Sequence, residues 1–329
     1  MKKQTLLLTS EDLVGLVNED DAFEAMRKAF EAHGQGKFQM PSKIYLDLQP
    51  YHGDFRAMPA YIDSLGACGM KWVNSHPDNL LKKDFPAVMG ILILNDPQTG
   101  FPLAIMDGTW ITRLRTGSAG ALASFYLARR DSRILALIGC GVQAEAQLMA
   151  HLKQFQIVEV CVWGPKLELA DSFREKMKKL PLSIKPFERI EDCVQGCDIV
   201  CTTTPSREPL VLRKWIESGT HINAIGADAK GKQELDPKIL KDSILVVDDL
   251  EQSIHGGEIN VPFSQGTISS ADIDATLGEI VCGAKSGREG FADITVFDST
   301  GLAIQDMALG HRAYQKALEQ GLGDHVSLF

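Results

Sequence analysis

The sequence predicts an α/β fold in which a doubly wound parallel sheet is inserted into a second, α+β domain with a largely antiparallel sheet. Three observations point to it. Leu135 to Ala144 read LALIGCGVQA, an apolar run that breaks into Gly139-x-Gly141-x-x-Ala144 and continues as the amphipathic stretch Gln143 to Phe155. Apolar runs then recur at βα spacing, Val158 to Trp163, Asp198 to Thr204 and His221 to Gly226, with helical segments such as Leu167 to Lys179 between the first two. Before residue 117 the strand-like runs 43–48, 55–62, 70–74, 87–94 and 103–110 are separated by turns rather than helices, the habit of antiparallel sheets.

The glycine-rich segment reads as strand, tight turn and helix start. Gly139 and Gly141 permit the turn and a close approach of backbone to a pyrophosphate, Ala144 lets the helix pack near the strand, and the helix N-terminus attracts the anion. This is the grammar of a Rossmann domain binding NAD or NADP; the bland reading is a tight βα loop with no ligand.

In the N-terminal part, Asp20 to His33 carries Ala22, Met26, Ala29 and Phe30 at helical spacing behind an Asn18 cap. Thr116 to Arg130, rich in Ala and Gly, is expected to be a helix carrying the chain into the nucleotide-binding half. The run Ile294 to Phe297 leads through Asp298-Ser299-Thr300-Gly301 into a helix from Ala303 to Gln320 that returns to the first domain. The expected division is 1–117 plus 303–329 for the substrate domain and 118–302 for the dinucleotide-binding domain.

A length of 329 residues suits two domains. A net charge of -9 argues against nucleic acid, which calls for a basic face. Lys2 and Lys3 precede an apolar run too short for a signal peptide, and no stretch has the length of a membrane span, so a cytoplasmic protein is expected. The seven cysteines, scattered mostly in apolar runs, read as reduced core thiols, and Cys193-x-x-x-Cys197 lacks a nearby histidine to complete a zinc set. No metal is expected.

In open α/β sheets the chemistry collects beyond the carboxyl ends of the strands. After Trp163 comes Gly164-Pro165-Lys166, where an NAD-binding fold usually has an acid for the ribose 2′-hydroxyl; Lys166 either faces a 2′-phosphate or is a solvated lysine opening a helix. Thr203 and Thr204 are candidate cofactor contacts, whereas Thr202 reads as strand packing. Asp228, in Ala227-Asp228-Ala229-Lys230-Gly231-Lys232, is the first acid/base candidate, set against a plain turn residue. In the first domain Lys71 and Arg56 interrupt apolar strands and Lys43 begins another. Taken singly, such residues are usually solvated; together they make a cationic cup for a small carboxylate. Arg115, read as opening the linking helix, is a candidate phosphate ligand with the amides around it, or an ordinary exposed first-turn arginine.

Several blocks in order, Arg56-Ala57-Met58-Pro59, Lys71-Trp72-Val73-Asn74, Arg115-Thr116-Gly117, GCGVQA, His221 to Asp228, Gly231-Lys232 and Asp298 to Gly301, cover nearly the whole chain. With them the chain resembles the ornithine cyclodeaminase/mu-crystallin family, and within it the archaeal-type alanine dehydrogenases. The resemblance implies a homodimer joined through the sheets of its first domains, with NAD(H) or NADP(H) on each inserted domain. It implies that Lys71 acts on the substrate or its imine and that Asp228 assists proton transfer. Arg56 and Lys43 are implied carboxylate contacts, and Arg115, Thr116, Val142, Gln143, Lys232 and Ser299 lie at or near the cofactor. Ornithine cyclodeaminases carry a glutamate where Arg56 stands; a cation there would repel a diamine's second ammonium group. The expected substrate is a small 2-amino acid with its 2-oxo counterpart, alanine first, or a cyclic imino acid such as Δ1-pyrroline-2-carboxylate. Ornithine cyclodeamination, or a crystallin-like protein that binds nucleotide without turnover, ranks behind both.

Overall fold

The computed structural model describes residues 3–79 and 85–329. The chain divides into two compact units, Met1–Arg115 with Leu302–Phe329, and Thr116–Gly301.

The first unit contains β1 (Thr5–Leu8), β2 (Phe38–Gln39), β3 (Ile44–Leu48), β4 (Gly53–Ile62), β5 (Ala67–Ser75), β6 (Val88–Asn95) and β7 (Pro102–Asp107), joined by the C-terminal strand Asp324–Val326. The sheet runs C-terminal strand, β1, β7, β6, β5, β4, β2, with β3 also on β4. All its pairs are antiparallel except β1 with β7. Residues opposite one another across a sheet share a face. One row is Met58, Lys71, Leu92, Met106, a lysine set among buried apolar side chains. The neighbouring row on the other face, Ile44, Ala57, Trp72, Ile91, leaves Ile44 and Ile91 largely exposed.

Two helices cover the buried face. Glu19–Gly34 starts on a reciprocal capping box between Asn18 and Asp21 and buries Ala22, Met26, Ala29 and Phe30. Ala303–Gln320 is buried along almost its whole first half, and Gly310 lets it settle on Leu92, where a Cβ would come within 2.1 Å of a side-chain methyl.

The structure corrects the expected run 103–110. The strand stops at Asp107, whose carboxylate accepts the amides of Thr109 (3.0 Å) and Trp110 (2.8 Å) and so caps a helix. The linking helix is therefore Gly108–Leu127, eight residues longer at its start than the composition of 116–130 suggested.

The second unit is a sheet of eight parallel strands: β8 (Ile134–Ile138), β9 (Glu159–Trp163), β10 (Ser183–Phe187), β11 (Ile199–Thr202), β12 (His221–Ala224), β13 (Ile244–Val247), β14 (Ala275–Thr276) and β15 (Thr295–Asp298). Their order is β10-β9-β8-β11-β12-β15-β13-β14. β10, β13 and β14 extend it beyond the strands read from sequence; β10 is an edge strand whose Lys185 and Pro186 interrupt the apolar signature. Gly117 and Gly120 bring the second half of the linking helix against the helix Val142–Gln154, where a Cβ on either would fall within 2.3 Å of Ala146 or Gln147. Behind the sheet a buried polar chain joins His151, Ser124, Asn223, His221 and Thr295 through contacts of 2.8–3.1 Å.

Candidate active site

The candidate residues divide between the two units. In the first, Lys71 is 1% exposed, contrary to the solvated reading of a lone strand lysine. Its row neighbours Met58 and Leu92 cannot solvate an ammonium, so the polar partners come from the two helices. Asp306, in the first turn of Ala303–Gln320 and itself fully buried, lies 2.8 Å from Lys71 Nζ, and Thr112 Oγ1 of the linking helix lies at 3.1 Å. Burial pulls the Lys71 pKa down, Asp306 pulls it back up, and the charges of Arg115 and Lys43 lower it again, leaving it at about 7 rather than 10.5. A lysine in that range both takes and gives a proton near neutrality.

Arg56 lies diagonally from Lys71 on the same buried face. Its guanidinium is held by both oxygens of Asp54, at 2.8 and 3.2 Å, and lies over the Tyr45 ring with 5.3 Å from guanidinium carbon to centroid. Lys43 is half-buried just before β3, close enough for its charge to act on Lys71.

Arg115 requires a correction. It sits in the third turn of Gly108–Leu127, so its backbone amide belongs to the helix and is no open anion site. Its buried side chain instead donates to Gln305 Oε1 at 2.9 Å and pairs with Asp306 at 3.2 Å. The structure thus groups Arg115 with Lys71, Asp306 and Thr112 within the first unit.

In the second unit Gly139 has φ +114°, a conformation L side chains avoid, and a Cβ there would meet Thr203 Oγ1 at 2.6 Å. Gly141 is the N-cap of Val142–Gln154, provides no side-chain cap, and has open space where its Cβ would be. The first amides of this helix, among them those of Val142, Gln143 and Ala144, thus lack intrahelical acceptors. The buried Oε1 of Gln143 has no hydrogen-bond partner among the described residues. The open amides and the bare Gly141 fit a dinucleotide diphosphate, whereas the Gln143 oxygen, an acceptor, suits a donor such as a hydroxyl. Ala144 is fully buried against β8, as close helix–strand packing needs. Thr116 is buried, its carbonyl taken by Gln147 at 3.0 Å and its hydroxyl left without a partner among the described residues. Lys166 is exposed at the N-cap of the helix Leu167–Met177.

Asp228 follows β12 with a third of its side chain exposed and contacts Lys232 Nζ at 2.5 Å. Gly231, at φ +81°, and Lys232 are pinned by Asn260, which accepts the Gly231 amide and donates to the Lys232 carbonyl, each at 2.8 Å. Ser299, buried, is tied through its amide to Ala224 at 3.0 Å.

Sequence reading missed the carboxylates that hold these groups. Glu234, fully buried, accepts from Thr202 Oγ1, the Thr204 amide and hydroxyl, and the Gly226 amide at 2.6–2.8 Å, fixing the loops after β11 and β12. Burial raises its pKa. Glu258 in turn accepts the amides of Glu234 and Leu235. Asp306 and Gln305 carried a signal: a polar pair inside the otherwise apolar AIQDMAL.

The sequence profile of the ornithine cyclodeaminase/mu-crystallin family matches residues 3–321. The alanine dehydrogenase of Archaeoglobus fulgidus is 49% identical over 328 residues, 99% of both chains. A solved archaeal alanine dehydrogenase dimer with bound NAD aligns over 99% of this chain and 100% of its own, at 49% identity and a TM-score of 0.95. The Δ1-pyrroline-2-carboxylate reductase of Thermococcus litoralis, solved with NADH and L-proline, aligns over 98% of this chain and 100% of its own, at 40% identity and a TM-score of 0.94.

Proposed function

The chain belongs to the ornithine cyclodeaminase/mu-crystallin family, and on that premise we propose that it is a nicotinamide-dinucleotide oxidoreductase acting at the C–N bond of a small 2-amino acid, interconverting L-alanine, water and the oxidised dinucleotide with pyruvate, ammonia and the reduced dinucleotide. The observation that carries this reading is the fully buried Lys71, held near neutrality among cations and one carboxylate. The similarity to alanine dehydrogenases over the full chain supports the substrate.

In this reading Gly139, Gly141, Val142, Gln143 and Ala144 form the diphosphate turn, with Thr116, Thr203, Thr204, Lys232 and Ser299 beside it. Lys166 provides a charge for a 2′-phosphate. The bound dinucleotide supplies the hydride acceptor or donor for the substrate α-carbon. Arg56 and Lys43, joined by Arg115, hold the substrate carboxylate; positioning of this kind contributes several kcal/mol to lowering a barrier, on the order of 7–11 at its fullest. Lys71 takes a proton during deamination and returns it in the reverse direction, and Asp228 handles the second proton. Arg56, fixed by Asp54, disfavours a diamine. The exposed apolar row that includes Ile44 and Ile91 supports a homodimer joined through this sheet.

A second reading, reduction of Δ1-pyrroline-2-carboxylate, draws on the 40% identity to the Thermococcus litoralis enzyme and uses the same residues without ammonia. Initial rates with pyruvate plus ammonia beside Δ1-pyrroline-2-carboxylate, each with NADH and NADPH, test both. Alanine dehydrogenation predicts the larger kcat/KM for pyruvate plus ammonia. A larger value for the cyclic imine replaces it with the second reading, and oxidation of neither nucleotide leaves a binding protein.

A further inference from the structure

Asp306 has no role in the reading above, yet it is the group on which that reading's lysine depends. It lies on the buried side of the last helix, one turn before the Gly310 that seats the helix against Leu92. Its carboxylate is fully buried, and its charged partners are Lys71 at 2.8 Å and Arg115 at 3.2 Å. An ammonium has three donors. Among the described residues Lys71 Nζ spends two of them, on Asp306 and on Thr112 Oγ1. Two acceptors from two different helices fix the direction of the third position, and a side chain 1% exposed leaves little room for bulk water to compete for it.

We propose that Asp306 is the positioning residue for Lys71: shared between Lys71 and Arg115, its carboxylate anchors the ammonium and directs the remaining Nζ position to the substrate. The inference rests on Lys71 being the proton-handling group. Asp306 does not touch substrate; it acts through the lysine, and it also fixes the guanidinium beside it. The groups whose charges or contacts bear on Lys71 are Asp306 from the last helix, Arg115 and Thr112 from the linking helix, and Lys43 from the segment before β3. Opposite and like charges within a few ångströms move a titration in opposite directions, each by about 1–3 pH units for close pairs. A shared counter-ion therefore makes a prediction of two signs.

The test is the titration of Lys71 in the resting full-length protein, followed by NMR on lysine labelled with 13C at Cε and assigned with Lys71→Arg. Asp306→Asn, which preserves shape and removes charge, should move the Lys71 midpoint down by about 1 unit or more; Arg115→Gln should move it up. In substrate assays the Lys71-dependent limb of kcat/KM should move with it in Asp306→Asn. A midpoint in Asp306→Asn that stays in place or rises overturns the proposal. If that variant fails to fold, Arg115→Gln decides alone: an upward shift supports the shared counter-ion, and no shift or a downward one refutes it. Because the titration is read without substrate, an absence of turnover in the unaltered protein counts against the dehydrogenase reading and leaves this result standing.

Discussion

The pH dependence of turnover follows from the placement of Lys71. Moving its pKa from 10.5 to about 7 amounts to a difference of about 5 kcal/mol between the charged and neutral forms, at about 1.4 kcal/mol per unit. Burial is the largest cause and Asp306 opposes it. In the deaminating direction the neutral lysine is the active form, so kcat/KM should rise with pH as a single-proton limb centred near 7 and level off about a unit above it. At about pH 6 roughly one-tenth of the lysine is neutral, so the rate constant should lie about tenfold below the plateau. Lys71→Gln should lose about 10²- to 10⁴-fold in rate, as general acid–base groups do, and should lose this limb with it. The assay is NADH formation from L-alanine between about pH 5.5 and 9, with nucleotide saturating. A limb centred near 10, or one that survives in Lys71→Gln, would refute the assignment. The same shift has a sign for stability. A depressed folded pKa means that the contribution of Lys71 is present above its unfolded value of 10.5 and is lost as pH falls through about 7.

Three further outcomes are expected. Gly139→Ala forces a side chain into φ +114° and within 2.6 Å of Thr203 Oγ1; it should destabilise the fold by about 1–2 kcal/mol and weaken NADH binding at least about tenfold by displacing the turn, read by thermal melting and fluorescence titration. Asp228→Asn should cut kcat by about 10²- to 10⁴-fold while NADH affinity stays within about twofold, and an equal loss of both would make Asp228 a cofactor-loop residue rather than a proton carrier. His151 and His221 are buried, and burial lowers their pKa values to about 4 and about 3 from 6.5. Their contribution is therefore present above 6.5 and lost as pH falls through those values, so stability should decline on acidification below 6.5, and His151→Gln should flatten that decline in denaturant titrations.

The second unit was the more legible in sequence because its signals are local. The strand-turn-helix around Gly139 and Gly141 needs only the chain's own conformational preferences, and the apolar runs of β8, β9, β11 and β12 are continuous because strands covered on both faces are apolar on both. Asn18 announced its helix for the same reason, a cap acting on amides two and three residues away. The Asp107 cap is equally local but lies inside the strand-like run 103–110, so the linking helix starts eight residues before its Ala- and Gly-rich stretch and Arg115 falls in its interior.

The sequence by itself determined the dinucleotide-binding grammar, the antiparallel character of the other sheet, and the residue types available for chemistry. Tertiary structure alone decided which of them meet. Lys71 and Asp306 are 235 positions apart, and nothing in the alternation of β5 tells a solvated lysine from one sealed beneath a helix that the chain makes at its far end. Burial and charge pairing, the forces that bring that lysine near neutrality, depend on distance through space, and periodicity along the chain does not encode it.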